Sequence, residues 1–323
     1  MKNGAEERKE SRRMIKKGFA GVTALLLLLV ILCAGGCRAR EEGPGREESE
    51  EGSGSEEITE DTSEESYGVF VGVDASSFRI DQFEGYDLVV IDAQELRAEQ
   101  LAQLHSAGHT VYSYLNVGSL EKSRDYYRDY KGYCLDRYDN WPDEYWVDVT
   151  ELEWQDFVTQ DLTERILDKD PAVDGLFLDN LDVYSHLSEK RKYRDLAEDA
   201  YEALADILGS YQDQDLTVLI NGADEFVTRL IEEGDQGLIR GVNQETVFSM
   251  IKDYDHDKFG AHSKEERKYY TDYLKTCKKA GLDVFLLEYT TDGELEEEIR
   301  KYCRRNGFRY YISAHVNLVP SDS

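Results

Sequence analysis

Asp174-Gly175-Leu176-Phe177-Leu178-Asp179-Asn180-Leu181-Asp182 is a short apolar run that stops abruptly in carboxylates and an amide. Entered through glycine and bounded by polar residues, it has the length and uniformity of a parallel strand covered on both faces, where no polar alternation is expected. The acids then stand at its C-terminal end, where parallel sheets open into variable strand-to-helix loops and bind ligands. Taken alone, Asp179 or Asp182 would serve as readily to cap a following helix. Recurrence of the pattern along the chain is what points to a site.

Working outward, eight such runs are predicted as strands: residues 68–73, 88–92, 110–115, 175–179, 217–221, 238–243, 284–289 and 308–313. Between them, apolar residues recur at helical spacing: Trp154, Phe157, Val158, Leu162 and Ile166; Leu204, Ile207 and Leu208; Tyr270, Tyr273, Leu274 and Cys277; Leu295, Ile299 and Cys303. Gly108 and Gly281 fall where helix C-caps belong, just before the next strand. Alternating strands and helices of this number predict an α/β fold, a (β/α)8 TIM barrel, with a doubly wound open sheet as the second arrangement. Residues 118–150, rich in Tyr, Asp and Arg, read as an oversized loop after the third strand, of the kind that is usually functional or mobile.

The barrel is expected over residues 67–318, and the chain before it is of two other kinds. Residues 1–17 hold seven Lys or Arg, and residues 18–36 are almost wholly apolar, so residues 1–37 read as an export signal or membrane anchor. The run Leu32-Cys33-Ala34-Gly35-Gly36-Cys37 resembles a bacterial lipobox, which makes Cys37 the expected lipidation site. Ala34 stands where Leu is usual, so an uncleaved transmembrane helix stays open as the alternative. Residues 38–66 carry twelve Asp or Glu among Gly and Ser and almost nothing apolar, the composition of a disordered, extended tether. Either anchor puts the barrel outside the cytoplasmic membrane, at a bacterial cell surface.

The formal net charge is −30, and residues 67–323 alone have 28 Lys and Arg against 53 Asp and Glu, a net of −25. That sign excludes nucleic acid as a natural partner. It suits a cationic polymer, and equally a device for solubility or salt tolerance. The five cysteines, Cys33, Cys37, Cys134, Cys277 and Cys303, lack close metal-ligand spacing, so no zinc site is expected. Cys277 and Cys303 lie on separate helices, where a bridge and two buried thiols are both open.

The predicted strand ends bear Asp92, Asn116, Asp179, Asn180, Asn221, Asn243, Glu245, Glu288 and Tyr289. A closed barrel gathers all of them around one opening. Acids and amides, without a Ser-His-Asp triad, a phosphate-binding glycine loop or a cysteine nucleophile, point to glycosidic bond cleavage, which needs one protonated and one ionised acid. The 22 Tyr offer sugar platforms, although most are ordinary packing residues. His315, near the last strand, is open to a ligand or acid-base role and to a structural one.

Leu88-Val89-Val90-Ile91-Asp92, Ser113-Tyr114-Leu115-Asn116-Val117-Gly118, Trp146-Val147-Asp148-Val149, Gly175 to Asn180, and Gly241-Val242-Asn243-Gln244-Glu245 occur in one order. This ordered set resembles the endo-α-1,4-polygalactosaminidase family, glycoside hydrolase family 114, over nearly all of residues 67–315. The resemblance implies a (β/α)8 barrel that cleaves α-1,4-linked galactosamine-rich exopolysaccharide without a cofactor. It also implies Asp179 as nucleophile and Glu245 as acid/base, with Glu288 as the competing second acid. Sugar contacts are then expected from Asp92, Tyr114, Asn116, Asn180, Asp182, Asn221, Asn243, Glu288 and Tyr289. A carbohydrate-binding lipoprotein without turnover remains a second reading. A metal-dependent deacetylase is a third, disfavoured because the strand ends lack a His pair.

Overall fold

The computed structural model describes residues 67–320. The segments read as signal or anchor and as acidic tether, with Cys37, lie outside the described residues. Among those described, no helix is long and apolar enough to cross a membrane.

Eight strands form one parallel sheet in sequence order: β1 (Tyr67–Val69), β2 (Leu88–Ile91), β3 (Thr110–Asn116), β4 (Gly175–Asp179), β5 (Thr217–Asn221), β6 (Gly241–Glu245), β7 (Asp283–Tyr289) and β8 (Arg309–Ser313). β1 also packs against β8, so the sheet curls into a nearly closed (β/α)8 barrel. Its strands are short and rich in β-branched and aromatic residues that fit a pleated surface buried on both sides. Tyr67, Phe177, Leu219 and Phe285 are all buried, and the rings of Tyr67 and Phe285 meet at 4.8 Å.

The helices cover the outside with their apolar stripes. Ala197–Asp213 buries Leu204, Ile207 and Leu208; Lys264–Lys279 buries Tyr273, Leu274 and Cys277; Gly293–Asn306 buries Leu295, Ile299 and Cys303. Ser263 caps the second of these by accepting from the Glu266 N–H while the Glu266 carboxylate accepts from the Ser263 N–H. Gly108 and Gly281 take positive φ of 94° and 90°, the left-handed turn that releases the chain from a helix into β3 and β7. The predicted helix through Trp154 and Ile166 is present as Leu152–Asp156 and Leu162–Leu167, with a π-helical turn at Phe157–Asp161 between them. No disulfide joins any of Cys134, Cys277 and Cys303, so the two buried thiols are not bridged.

Several elements differ from the sequence reading. The first strand ends at Val69 rather than Val73. The sixth strand begins at Gly241, because Gln236–Leu238 is a 3-10 turn rather than the strand's start. Glu245 consequently ends the strand instead of following it. Residues 118–150 are not an irregular loop. They fold as a three-stranded antiparallel sheet with Glu144–Val147 between Ser119–Glu121 and Cys134–Arg137. After β6, Ser249–Asp253 and Lys258–Ala261 form a second hairpin that the apolar pattern did not reveal. Both insertions rise from the C-terminal mouth of the barrel.

Candidate active site

Side-chain parity along each strand decides what reaches the mouth, since successive residues point to opposite faces. Asp179 ends β4 and Asn221 ends β5. Asn243 and Glu245 are two apart on β6, as are Leu287 and Tyr289 on β7. The register sets Asn221 beside Asn243 and Glu245 beside Leu287.

The result is a relay of amides beneath two acids. The Tyr67 hydroxyl donates to Asn243 Oδ1 at 3.2 Å, and Asn243 Nδ2 donates to Asn221 Oδ1 at 2.6 Å. This fixes the Asn221 amide, whose Nδ2 then donates to Asp179 Oδ1 at 2.9 Å and to Glu245 Oε1 at 2.7 Å. Two bonds to one nitrogen hold those carboxyl oxygens no more than about 5.6 Å apart. The Tyr289 hydroxyl donates to Glu245 Oε2 at 2.9 Å, so both oxygens of Glu245 are engaged.

Burial and then the neighbouring charge of Asp179 push the Glu245 carboxyl up to about 7, against the donors Asn221 and Tyr289. Asp179 is also raised by burial, while Asn221, the Asn180 N–H and Tyr114 pull it down. Asp182 rises to about 7 through burial, held in place by the Ala223 N–H at 3.0 Å. These are acids tuned toward neutrality at one opening, as general acid/base chemistry requires.

A cleft of 1280 Å³ at the mouth is lined by Asp92, Tyr114, Asp179, Asn180, Asp182, Asn221, Glu245 and Tyr289. Three expected sugar contacts do not border it. Asn116 lies beneath, where Asn180 Nδ2 donates to its Oδ1 at 3.1 Å and its own Nδ2 donates to Glu144 Oε1 at 3.0 Å. Asn243 is the middle of the amide relay. Glu288 is one residue out of phase with Tyr289 and fully buried. Its carboxylate accepts from the N–H groups of Val247, Phe248 and Ser249 and from the Ser249 hydroxyl. It clamps the turn after β6 rather than facing the opening. His315 pairs with Asp257 on the surface.

Three residues of the insertion after β3 were not singled out from sequence. Arg124 pairs with the buried Asp92 at 2.7 Å and with Glu121, anchoring the insertion to the end of β2. Glu144 joins Asn116, Ser119 and Asn180, and burial pushes it up to about 7. Tyr138 borders the cleft beside Trp146. The aromatic, acidic character of residues 118–150 was the only signal of them. Among the described residues, no group of three His, Cys, Asp or Glu is arranged to hold a metal ion.

A parallel eight-stranded barrel with two carboxylates facing each other at its C-terminal mouth defines the class of barrel glycoside hydrolases. The sequence pattern of glycoside-hydrolase family GH114 matches residues 72–318, and the chain belongs to that family. The fold is shared by the glycoside hydrolase domain of PelA from Pseudomonas aeruginosa, with a TM-score of 0.64 at 19% identity, covering 78% of this chain and 95% of that one. Ega3 of Aspergillus fumigatus, solved in complex with galactosamine, aligns with a TM-score of 0.61 at 16% identity, over 79% of this chain and 92% of its own. The α-galactosidase TtGalA from Thermus thermophilus follows at 0.50 and 11% identity, over 76% and 57%. No curated protein sequence matches this chain.

Proposed function

We propose that this glycoside hydrolase cleaves an α-1,4-linked, galactosamine-rich exopolysaccharide by double displacement, with Asp179 as nucleophile and Glu245 as acid/base. The observation that carries this reading is the single Asn221 amide shared by the two carboxyls. A separation of about 5 to 5.5 Å suits retention, whereas inversion needs about 6.5 to 9.5 Å to admit a water. In the first step the Asp179 carboxylate bonds to the anomeric carbon as Glu245 gives its proton to the departing glycosidic oxygen. In the second, Glu245 takes a proton from water, the resulting hydroxyl bonds to the anomeric carbon, and Asp179 is released as carboxylate. Glu245, raised to about 7, is suited to begin protonated. Asn221 keeps a donor on Asp179 throughout.

The substrate class is supported by charge. The cleft is bordered by Asp92, Glu121, Asp143, Glu144, Asp179, Asp182, Glu189, Glu245 and Asp255, against Lys122 and Arg124. Free amines on a sugar polymer would be drawn to such a surface. Lipid on Cys37, or an uncleaved helix at residues 18–36, would tether the enzyme where exopolysaccharide is made.

The test is incubation of the whole chain in detergent with galactosamine-rich and glucosamine-rich polymers, followed by mass analysis of products. Wild type should release reducing ends from the galactosamine polymer. Asp179→Asn and Glu245→Gln should each lose several orders of magnitude in turnover and still bind polymer. Binding without new reducing ends in wild type would turn the reading toward a carbohydrate-binding protein. For the tether, Cys37→Ser should abolish the lipid-mass increment on the N-terminal residue; a membrane-bound chain with an intact, unlipidated N-terminus would favour the helix.

A further inference from the structure

The two insertions at the mouth touch each other, and the chemistry above does not use that contact. The insertion after β3 carries Tyr138, Asn140 and Trp141 between two of its strands, and the hairpin after β6 carries Tyr254 at its tip. Trp141 meets Tyr254 edge to face, with ring centroids 5.7 Å apart and planes at 81°. Asn140 Nδ2 donates to the Tyr254 hydroxyl at 3.2 Å.

In the barrel order β3 and β6 stand on either side of β4 and β5, the strands that end in Asp179 and Asn221. The joined insertions therefore close a ring of protein whose base is the catalytic side of the mouth. Asp179, Asn221 and Glu245 from the base, and Tyr138, Trp141 and Tyr254 from the insertions, border one continuous cleft, so the open space lies between them. Electrostatics agrees with this placement. After burial, the neighbouring charges of Asp179, Asp182, Glu144 and Glu245 raise the Tyr138 phenol further above its ordinary value, and Glu245 does the same for Tyr254.

The ring is firm at its roots and thin where the two insertions meet. Glu144 ties the first insertion to Asn116 and Asn180, and Trp146 is stacked between Tyr138 at 4.5 Å and His186 at 4.8 Å. The hairpin is rooted by Ser249, whose N–H and hydroxyl donate to Glu288 Oε2 at 2.9 and 2.6 Å, and its turn is braced by Asp257 against His315 at 2.9 Å and the Val316 N–H at 2.8 Å. The crown has one ring contact and one exposed hydrogen bond, and Trp141 is 43% exposed.

We propose that Trp141 and Tyr254 form an arch over the acid pair that parts to admit the middle of a polymer and re-forms across it, and that Trp141 packs on a sugar face to retain the chain between successive cuts. The proposal rests on the polymer reading given under Proposed function. A parted crown admits a chain without a free end being threaded. A re-formed crown blocks sideways escape, and the flat indole adds apolar contact to a sugar ring beyond those in direct reach of the acids.

The experiment compares wild type, Trp141→Ala, Trp141→Phe and Tyr254→Phe, each as the whole chain in detergent, on galactosamine polymer and on a galactosamine trisaccharide. At low conversion, the ratio of short soluble products to new reducing ends on long polymer reports cuts per encounter. Trp141→Ala should lower that ratio severalfold and reduce polymer kcat/KM relative to trisaccharide kcat/KM by about tenfold, the scale of one aromatic contact. Trp141→Phe should restore most of both. Tyr254→Phe, which removes only the Asn140 hydrogen bond, should move the product ratio in the same direction by less. Unchanged product ratios in Trp141→Ala, or equal losses on polymer and trisaccharide, overturn the arch. Wild type that leaves the polymer intact overturns the substrate reading itself, and the arch with it. Melting curves matching wild type confirm that the variants are folded.

Discussion

Replacing Asn221 by Leu tests the shared amide directly. Leucine keeps the approximate volume and removes the donor that reaches Asp179 Oδ1 at 2.9 Å and Glu245 Oε1 at 2.7 Å. A hydrogen bond to a charged group contributes about 1.5 to 3 kcal/mol. Two are lost, but only the bond to the ionised Asp179 has its full charged character at the start of reaction. Loss of about 3 kcal/mol of transition-state stabilisation lowers kcat/KM on the order of 10²-fold.

The pH profile carries the sharper prediction. The Asn221 donor lowers both Asp179 and Glu245, so its removal raises both. In wild type the basic limb should fall through about pH 7 as Glu245 loses its proton, and the acid limb should follow Asp179. In Asn221→Leu both limbs should move to higher pH. Initial rates of reducing-end release across about pH 4 to 9 measure this. A profile in the wild-type position, with activity within about threefold, would refute the role given to Asn221. A uniform loss without a shift, accompanied by a lowered melting temperature, would show that the amide relay through Asn243 and Tyr67 is only structural.

Glu288→Gln should cost about 1 to 3 kcal/mol of stability, because an amide nitrogen would face backbone donors now served by a carboxylate. Calorimetry checks it, and an unchanged melt with abolished turnover would return Glu288 to the chemistry. Glu144, Asp182, Glu245 and Glu288 all have folded values raised to about 7, so the folded state binds their protons more tightly than the unfolded chain. Their contribution is complete below the unfolded carboxyl range and is lost as pH rises through about 7. The melting temperature should therefore be higher near pH 5 than near pH 8, and the opposite order would contradict it. Because no disulfide joins Cys277 and Cys303, a reductant should leave the melting temperature unchanged; a drop would reveal a bridge.

The barrel was legible because its strands obey a local rule. A buried parallel strand is apolar until it reaches the mouth, and Asp179 and Asn221 mark those ends in the sequence itself. The same rule fails by one residue where parity matters. Glu288 and Tyr289 both end β7, yet only Tyr289 has the phase that meets Glu245, while Glu288 turns to the N–H groups of Val247, Phe248 and Ser249. At β6, Leu238 and Ile239 mimic a strand start, but they belong to a turn and its exit. The first insertion was visible only as an oversized loop and the second not at all, because their order is set by distant partners. Arg124 finds Asp92 thirty-two residues back, Glu144 finds Asn116 twenty-eight back, and Asn140 finds Tyr254 across 114 residues. No periodicity encodes such pairs.

This division has a mechanical consequence. The acids sit on inner strands of one eight-stranded sheet, each paired on both sides, so their separation is insensitive to what the insertions do. Trp141 and Tyr254 sit on segments rooted by separate networks, Glu144 on one side and Ser249 with Glu288 on the other. Exchanging the crown residues should therefore redirect which polymers are held, and for how long, while the bond-breaking geometry around Asn221 stays as it is.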